Sequence, residues 1–214
     1  MKKYILFDND GVLVETEIWY YEANKIILKT LGLDLELPYY LKIMAKGGNA
    51  WQLAYEAGIS EETIVPYRKK RDLIYQDFLQ NKNIEISGVT KILEALSKKY
   101  KMAVITTSRR VDFDLIHKNR DILQYMDFTL CVEEYEKAKP HPAPYLAGLK
   151  KFQASKEESI VVEDSQRGLS SAYAAGIDCI MVKNDFTSSH DFSNAQYFIN
   201  QLNDLEELLE NKLH

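Results

Sequence analysis

Cysteine, proline and long hydrophobic runs are all scarce in this sequence. Its 214 residues include only 2 Cys, 5 Pro and 9 Gly, which excludes a disulfide-rich scaffold, a collagen-like chain and a low-complexity protein. Cys131 and Cys179 both lie in apolar runs, so we expect buried thiols in a reducing compartment. No run reaches the roughly 18 apolar residues of a membrane helix, and Asp8 interrupts the amino-terminal apolar run too early for a signal peptide. We therefore expect a cytoplasmic protein that does not enter the membrane.

The charge balance is slightly acidic. The chain carries 27 basic and 32 acidic residues, a formal net charge of -5, which gives no electrostatic reason to expect a nucleic acid partner. A local basic patch is still sufficient to bind a small anion. The length is sufficient for one domain with a sizeable insertion, or for one large and one small domain.

Five short runs rich in β-branched residues predict the strands of a parallel sheet. Each run is almost continuously apolar, which is typical of strands that are buried on both faces. Amphipathic helical patterns lie between them, and this alternation predicts a doubly wound α/β fold. The predicted strands are residues 3–8, 102–107, 128–132, 159–164 and 178–183.

The stretch after the first strand interrupts this alternation, because it contains helical patterns and no convincing buried strand. Asn49 is expected to cap one of its helices and Pro66 to lie in the first turn of another. The basic run from Arg68 to Arg71 is expected on a solvated helix face. We therefore predict a small all-helical cap domain over residues 15–85, inserted into an α/β core formed by residues 1–14 and 86–214.

Polar side chains that could take part in a reaction lie at the carboxyl ends of the predicted strands. Each group also has an ordinary structural explanation, such as an Asp-Gly turn, a helix cap or a solvated lysine. Their common location favours a functional explanation over these structural ones, because the carboxyl ends of parallel strands form the ligand crevice of such a sheet. The groups are Asp8 with Asp10, Thr106 with Thr107, Lys139, and Glu163 with Asp164.

The composition of this crevice indicates a reaction type. Several carboxylates cannot lie together without a cation to offset their repulsion, and Mg²⁺ prefers oxygen ligands. A divalent cation beside a lysine and hydroxyl donors is the environment that a phosphate dianion needs. The sequence therefore predicts metal-assisted phosphoryl transfer on a small phosphorylated metabolite.

Four segments, DNDGVLVET, ITTS, KAKPHPAPY and VVEDS, resemble in order and spacing the four motifs of the haloacid dehalogenase (HAD) superfamily. With the helical insertion after the first motif, the chain is similar to the branch that contains β-phosphoglucomutase and phosphoglycolate phosphatase. The resemblance implies a Rossmann-like core whose first strand lies centrally, between the strands that carry Thr106 and Asp164. Asn9 departs from the pattern, because a hydrophobic residue is frequent at this position in the superfamily.

The resemblance also implies catalytic roles. Asp8 would be the nucleophile that forms an aspartyl-phosphate, and Asp10 the general acid and base. Thr106 would bind the phosphoryl oxygens with Lys139, which would also pair with Asp8. Thr107 is a further candidate for substrate binding, because its hydroxyl is a potential donor to an anionic oxygen.

The same resemblance implies a Mg²⁺ site. Its ligands would be Asp8, the backbone carbonyl of Asp10, Glu163 and Asp164. Magnesium there would neutralise charge on both the phosphate and the nucleophile.

Three activities remain to be weighed. Dehalogenases of the superfamily lack the second aspartate, so Asp10 argues against dehalogenation. Mutases of this branch usually carry a histidine early in the first cap helix and an arginine in the following cap loop, and neither is present here. We therefore expect a phosphatase, with a phosphosugar mutase and a catalytically silent binding protein as the alternatives.

The cap loop has its own candidates. Lys46 and Gly47 are expected to form a substrate-facing loop, although a simple turn between helices would explain them equally well. The branch suggests a monomer.

Overall fold

A computed structural model of the chain describes residues 1–212, and its framework is one six-stranded parallel sheet. The five expected strands are present, each ending one or two residues earlier than predicted. A sixth strand, which the sequence patterns did not reveal, completes the sheet. The strands are β1 (Tyr4–Phe7), β2 (Lys101–Ile105), β3 (Phe128–Leu130), β4 (Ser159–Glu163), β5 (Asp178–Val182) and β6 (Tyr197–Ile199).

The order of the strands is β3-β2-β1-β4-β5-β6, so β1 lies between β2 and β4 as the resemblance implies. Phe7 at the end of β1 is in register with Val104 on one side and Val162 on the other. The three central strands therefore end at the same edge of the sheet. Strands β2 and β3 lie on one side of β1, and β4, β5 and β6 lie on the other. The boundary between β1 and β4 is therefore a topological switch point, where ligand crevices form.

Nine helices of the α type lie within residues 1–212. In α5 the residues Val89, Ile92, Leu93 and Leu96 are buried, as their spacing along one helix face predicts. The helices are α1 (Glu17–Thr30), α2 (Leu37–Ala45), α3 (Gln52–Glu56), α4 (Glu61–Asn81), α5 (Val89–Ser97), α6 (Arg110–His117), α7 (Ala143–Phe152), α8 (Gln166–Ala175) and α9 (Leu205–Lys212).

Helices α1 to α4 lie between β1 and α5 and enclose a hydrophobic cluster of their own. Leu28, Tyr40 and Ile64 are fully buried in this cluster. The chain enters and leaves the four helices through two adjacent segments, which pair as an antiparallel bridge between Val14 and Glu85. This arrangement fits a helical insertion, and the division into a core and a cap domain stays a prediction.

The structure corrects three details of the helical region. Asn49 does not cap α3, because the residue at the cap position is Trp51, whose backbone amide donates to Asn49 Oδ1 at 3.0 Å. Pro66 is the sixth residue of α4 and not part of its first turn, because the helix starts earlier, where the Ser60 side chain accepts a hydrogen bond from the Thr63 backbone. Arg71 is buried rather than solvated, at 8% exposure. Its guanidinium hydrogen bonds to Asn24, 2.9 Å away, and lies over the ring of Tyr20.

Both cysteines are buried and free. Within residues 1–212, none of the helices combines the length and the hydropathy needed to cross a membrane.

We expect the cluster between α1 and α4 to contribute measurably to stability. Ile64→Ala should lower the free energy of unfolding by about 2–5 kcal/mol, because it removes a fully buried side chain and leaves a cavity. Leu73→Ala on the same helix is the matched control, since Leu73 is 67% exposed and its replacement should cost roughly 0.5 kcal/mol or less. Urea denaturation measures both, and equal effects would contradict the assignment of this core.

Candidate active site

The predicted site residues meet at the carboxyl edge of the sheet. Asp8 follows β1 directly, Thr106 follows β2, and Asp164 follows β4. Lys139 comes from the loop between β3 and α7 rather than from a strand end. All four side chains are buried.

Lys139 connects these elements. Its ammonium nitrogen lies 2.8 Å from Asp8 Oδ1, 2.7 Å from Glu163 Oε1 and 2.9 Å from the carbonyl oxygen of Ile105. Burial alone would lower the pKa of Lys139, but Asp8 and Glu163 outweigh it and raise this pKa above its usual range. The side chain is therefore a fixed cation that bridges β1, β2 and β4.

Glu163 is held on both carboxylate oxygens. Oε1 accepts from Lys139 and, at 2.8 Å, from the Tyr145 hydroxyl, while Oε2 accepts from the Ser165 hydroxyl at 3.0 Å and the Asp164 amide at 3.1 Å. Burial raises the pKa of Glu163, but Lys139 outweighs it and holds this pKa below its usual range. The carboxylate fits beneath α8 because the next turn has Gly168, where a Cβ atom would lie 1.7 Å from Oε1.

Asp8, Glu163 and Asp164 bring one oxygen each to within 4.8 Å of one another. Asp164 Oδ2 also accepts a hydrogen bond of 3.1 Å from Asn184. Burial, followed by the neighbouring carboxylates, raises the pKa of Asp164 well above its usual range, and burial raises that of Asp8 to about 7. Crowded and buried carboxyl groups of this kind fit a hard divalent cation, which would favour their ionised forms.

A glycine makes room for this acidic cluster. Gly11 follows the second aspartate and has a φ of +79°, and an added Cβ would lie 2.1 Å from Asp164 Oδ2. The backbone of the first loop can therefore approach Asp164 only without a side chain at this position.

Asp10 has different surroundings. Its carboxylate accepts hydrogen bonds from three hydroxyl groups, those of Thr16, Thr106 at 3.1 Å and Ser108 at 2.7 Å. It is not part of the three-carboxylate cluster. Asp10 instead lines a separate cavity beside that cluster.

This cavity has a volume of about 250 Å³ and lies between the helical region and the sheet edge. Side chains from α1, α2 and α4 line it from one side, and the segments after β1, β2 and β3 with the first turns of α6 and α8 line it from the other. A smaller cavity of about 20 Å³ continues toward Asp8 and Asp164. The polar residues that line the larger cavity include Asp10, Glu17, Arg71, Thr107, Arg109 and Arg167.

The loop between α2 and α3 is brought to the site only in part. Gly47 packs directly against the segment that follows Lys139, because an added Cβ would lie 2.7 Å from Pro140 Cδ. Lys46 is exposed and does not line either cavity. Thr107 does line the larger cavity, where its hydroxyl accepts a hydrogen bond of 3.2 Å from Arg167.

Sequence reasoning missed several groups in the site. Asn184 lies two residues after the end of β5, so a search for polar residues shortly after every strand would have found it. Tyr145, Glu17 and Arg167 lie on helices. No sequence pattern signals which of their faces meets the sheet edge.

The fold and the cluster together define a doubly wound α/β protein with an acidic, lysine-containing site at its topological switch point. The sequence profile of the haloacid dehalogenase-like hydrolases matches residues 5–182. The chain belongs to this family.

Relatives with assigned names share about a quarter of their residues with this chain. A phosphorylated carbohydrates phosphatase of Thermotoga maritima is 26% identical over 182 residues, which are 82% of this chain and 82% of the relative. The (DL)-glycerol-3-phosphatase 2 of Arabidopsis thaliana is 26% identical over 84% of this chain and 78% of its own length.

Solved structures confirm the fold. The CbbY protein of Rhodobacter sphaeroides, crystallised with phosphate, superposes with a TM-score of 0.81 at 22% identity, and the match covers 96% of both chains. The β-phosphoglucomutase of Clostridium difficile gives a TM-score of 0.80 at 21% identity, over 98% of this chain and 96% of that one.

Gly168→Ala tests the packing beneath α8. The new methyl group would overlap the Glu163 carboxylate, so the substitution should lower the free energy of unfolding by about 1–3 kcal/mol although alanine favours helices. Ser170→Ala, at a half-exposed position of the same helix, is the control. A stabilised Gly168→Ala protein in chemical denaturation would contradict this packing.

The buried carboxyl groups also predict how stability depends on pH in the presence of a chelator. Burial raises the pKa of Asp8 and of Glu17 to about 7, and that of Asp164 well above its usual range. A carboxyl group whose pKa is higher in the folded than in the unfolded protein contributes to stability. This contribution is complete below the unfolded-state pKa of about 4 and is lost as the pH rises through the folded-state pKa.

Two histidines have the opposite effect in a lower pH range. Burial lowers the pKa of His117 to about 4 and that of His190 in the same direction, so their contribution is lost only below about pH 6.5. Between roughly pH 6.5 and 8 the free energy of unfolding should therefore fall, by about 1–2 kcal/mol. Urea titrations in EDTA measure it, and an increase over this interval would contradict the burial of these carboxyl groups.

Proposed function

We propose that this protein is a Mg²⁺-dependent phosphatase that hydrolyses a small phosphate monoester through an aspartyl-phosphate intermediate. The observation that carries the proposal is the contact of Asp8 with Lys139 inside a buried carboxylate cluster, beside a cavity lined by Asp10. In this proposal residues 15–85 act as a cap over a core of residues 1–14 and 86–214.

Asp8 is the nucleophile. One of its carboxylate oxygens attacks phosphorus, forming the new P–O bond while the bond to the ester oxygen breaks. Lys139 favours the ionised form of Asp8 and orients it, since its ammonium donates to Oδ1. The Thr106 hydroxyl, with Lys139, then holds phosphoryl oxygens at the end of β2.

Asp10 moves the protons. In the first step it gives a proton to the ester oxygen that leaves, and in the second it takes a proton from the water that attacks phosphorus. The hydroxyls of Thr106 and Ser108 orient its carboxylate at the wall of the cavity. The water releases inorganic phosphate and restores Asp8.

Magnesium would be held by Asp8, Asp164 and the backbone carbonyl of Asp10. Glu163 borders the same site, but its oxygens are already occupied by Lys139, Tyr145 and backbone donors. We therefore assign Glu163 chiefly to positioning Lys139. When bound, the cation supplies charge neutralisation for the phosphate and for Asp8.

The named relatives support this class of reaction. The Thermotoga and Arabidopsis proteins described above are named as phosphatases of small phosphorylated compounds. We extend to this chain only the shared element of those names, the hydrolysis of a small phosphate monoester.

The test of the function is turnover of p-nitrophenyl phosphate with Mg²⁺ and with EDTA. We expect hydrolysis only with the metal, and we expect Asp8→Asn to lose at least about 1,000-fold in kcat while unfolding like the unaltered protein. Asp121→Asn, a change of the same kind at an exposed aspartate, is the control and should keep its activity. Near-normal rates in Asp8→Asn would remove the proposed nucleophile.

Product analysis separates a phosphatase from a mutase. With β-glucose 1-phosphate and its bisphosphate activator, we expect inorganic phosphate to accumulate and no glucose 6-phosphate beyond a trace. Accumulation of glucose 6-phosphate at a rate equal to or above phosphate release would favour the mutase.

A further inference from the structure

The loop between β3 and α7 holds the end of β2 at two successive carbonyl groups. Lys139 donates to the Ile105 oxygen at 2.9 Å. Tyr135, which precedes Lys139 in the same loop, donates from its hydroxyl to the Thr106 oxygen at 2.6 Å. The second bond joins a side chain that lines neither cavity to a residue of the proposed reaction, and the proposed chemical steps do not use it.

The Thr106 carbonyl depends on this hydroxyl for a donor. The Thr106 amide donates to Leu130 of β3 at 3.0 Å, so in a regular parallel ladder the Val132 amide would pair with the Thr106 oxygen. The Val132 amide donates instead to Ser108, at 3.1 Å. Within residues 1–212, the Tyr135 hydroxyl is therefore the one donor to the oxygen of a fully buried residue.

The direction of this carbonyl also sets the direction of a backbone donor. The peptide between Thr106 and Thr107 is planar and trans, so its carbonyl and its amide point to opposite sides. Within residues 1–212 the Thr107 amide donates to no protein group, while its side chain lines the larger cavity. Tyr135 therefore fixes the orientation of an unpaired N–H at the end of β2.

Tyr135 is built to remain a donor. Its ring is partly buried and packs against the hydrophobic cluster that contains Leu130 and Leu149. Burial raises the pKa of Tyr135 above its usual range, although the nearby charge of Lys139 opposes this effect. The hydroxyl therefore keeps its proton at neutral and mildly alkaline pH, and its bond to Thr106 persists there.

Resting on the phosphatase function above, we propose that Tyr135 is a positioning residue for phosphoryl transfer. Its hydroxyl, acting through the Thr106 carbonyl, holds the peptide after β2 so that the Thr107 amide donates to a phosphoryl oxygen beside the Thr106 hydroxyl. A donor that is fixed in advance stabilises the charge on such an oxygen without reorganising during the reaction. Tyr135 itself does not touch the substrate.

Tyr135→Phe tests this role, because it removes the hydroxyl and keeps the ring. We expect kcat/KM for p-nitrophenyl phosphate with Mg²⁺ to fall about tenfold, since the Thr106 carbonyl loses its donor and the peptide is free to reorient. Competitive inhibition by orthovanadate, whose oxygens resemble those of the transferred group, should weaken by a similar factor. Values within about twofold of those of the unaltered protein would overturn the proposal.

Two further readouts separate positioning from simple support of the loop. A loop that is only less stable would lower the melting temperature but leave orthovanadate inhibition unchanged at a temperature where circular dichroism shows both proteins folded. The losses for p-nitrophenyl phosphate and phenyl phosphate should be equal within about threefold, because the two esters share the phosphoryl group and differ in the leaving group. A loss confined to phenyl phosphate would place the effect on the leaving group and overturn the proposal.

The Mg²⁺ concentration for half-maximal activity shows whether the substitution acts through Lys139 instead. This value should not change in Tyr135→Phe, because the proposed metal ligands follow β1 and β4 and not β2. A change of more than about threefold would place the effect on Lys139 and the carboxylates that it contacts, and would contradict a role through Thr106.

Tyr173→Phe is the matched control, since it removes the same hydroxyl from a residue of α8 that is 63% exposed, and it should change none of these values. If Tyr135→Phe does not fold, Tyr135→Met also fills the space without a donor and carries the same expectations. If the unaltered protein hydrolyses p-nitrophenyl phosphate and Tyr135→Phe behaves like Tyr173→Phe, the positioning proposal is wrong and the phosphatase proposal stands. If the unaltered protein does not hydrolyse it with Mg²⁺, both proposals fail.

Discussion

The ammonium group of Lys139 is the interaction on which the arrangement of the site depends. Three strands end at the edge where it lies, and it has an acceptor in or directly after each: Asp8 after β1, Ile105 of β2 and Glu163 of β4. Removing this cation would leave two buried carboxylates without compensation, which is among the most costly defects in a folded protein. The lysine therefore belongs both to the stability of the sheet edge and to the reactivity of Asp8.

Two glycines leave the space that the carboxylates at this edge occupy. Gly168 admits the Glu163 carboxylate beneath α8, and Gly11 admits Asp164 beside the first loop. Both contacts would be impossible with even a methyl group. The acidic cluster is thus formed by close backbone approach as much as by the carboxylates themselves, and this constraint explains why it can be dense and buried at once.

The sequence predicted the features that are encoded within a single strand and the residues directly after it. Apolar runs revealed β1, β2 and β4, and the polar residues after them revealed the site, because parallel strands end together. It did not predict features that depend on packing between helices and sheet. Arg71 lies in a basic run that reads as solvated, yet it is buried against Tyr20, and nothing in its neighbours along the chain indicates this.

Asn9 shows how a local departure can be accommodated elsewhere in the fold. It is fully buried between the two aspartates, and its side-chain oxygen lies 2.8 Å from Nε2 of His117 on α6. Burial lowers the pKa of His117 to about 4, so the ring is neutral near pH 7. The tautomer that carries its proton on Nε2 donates to the amide oxygen of Asn9. The backbone oxygen of Asn9 meanwhile accepts from the amides of Leu13 and Val14. Both oxygens of Asn9 therefore have hydrogen-bond partners, whereas among residues 1–212 its buried amide nitrogen has none. The contacts of the two oxygens hold the turn between Asp8 and Asp10 in one conformation.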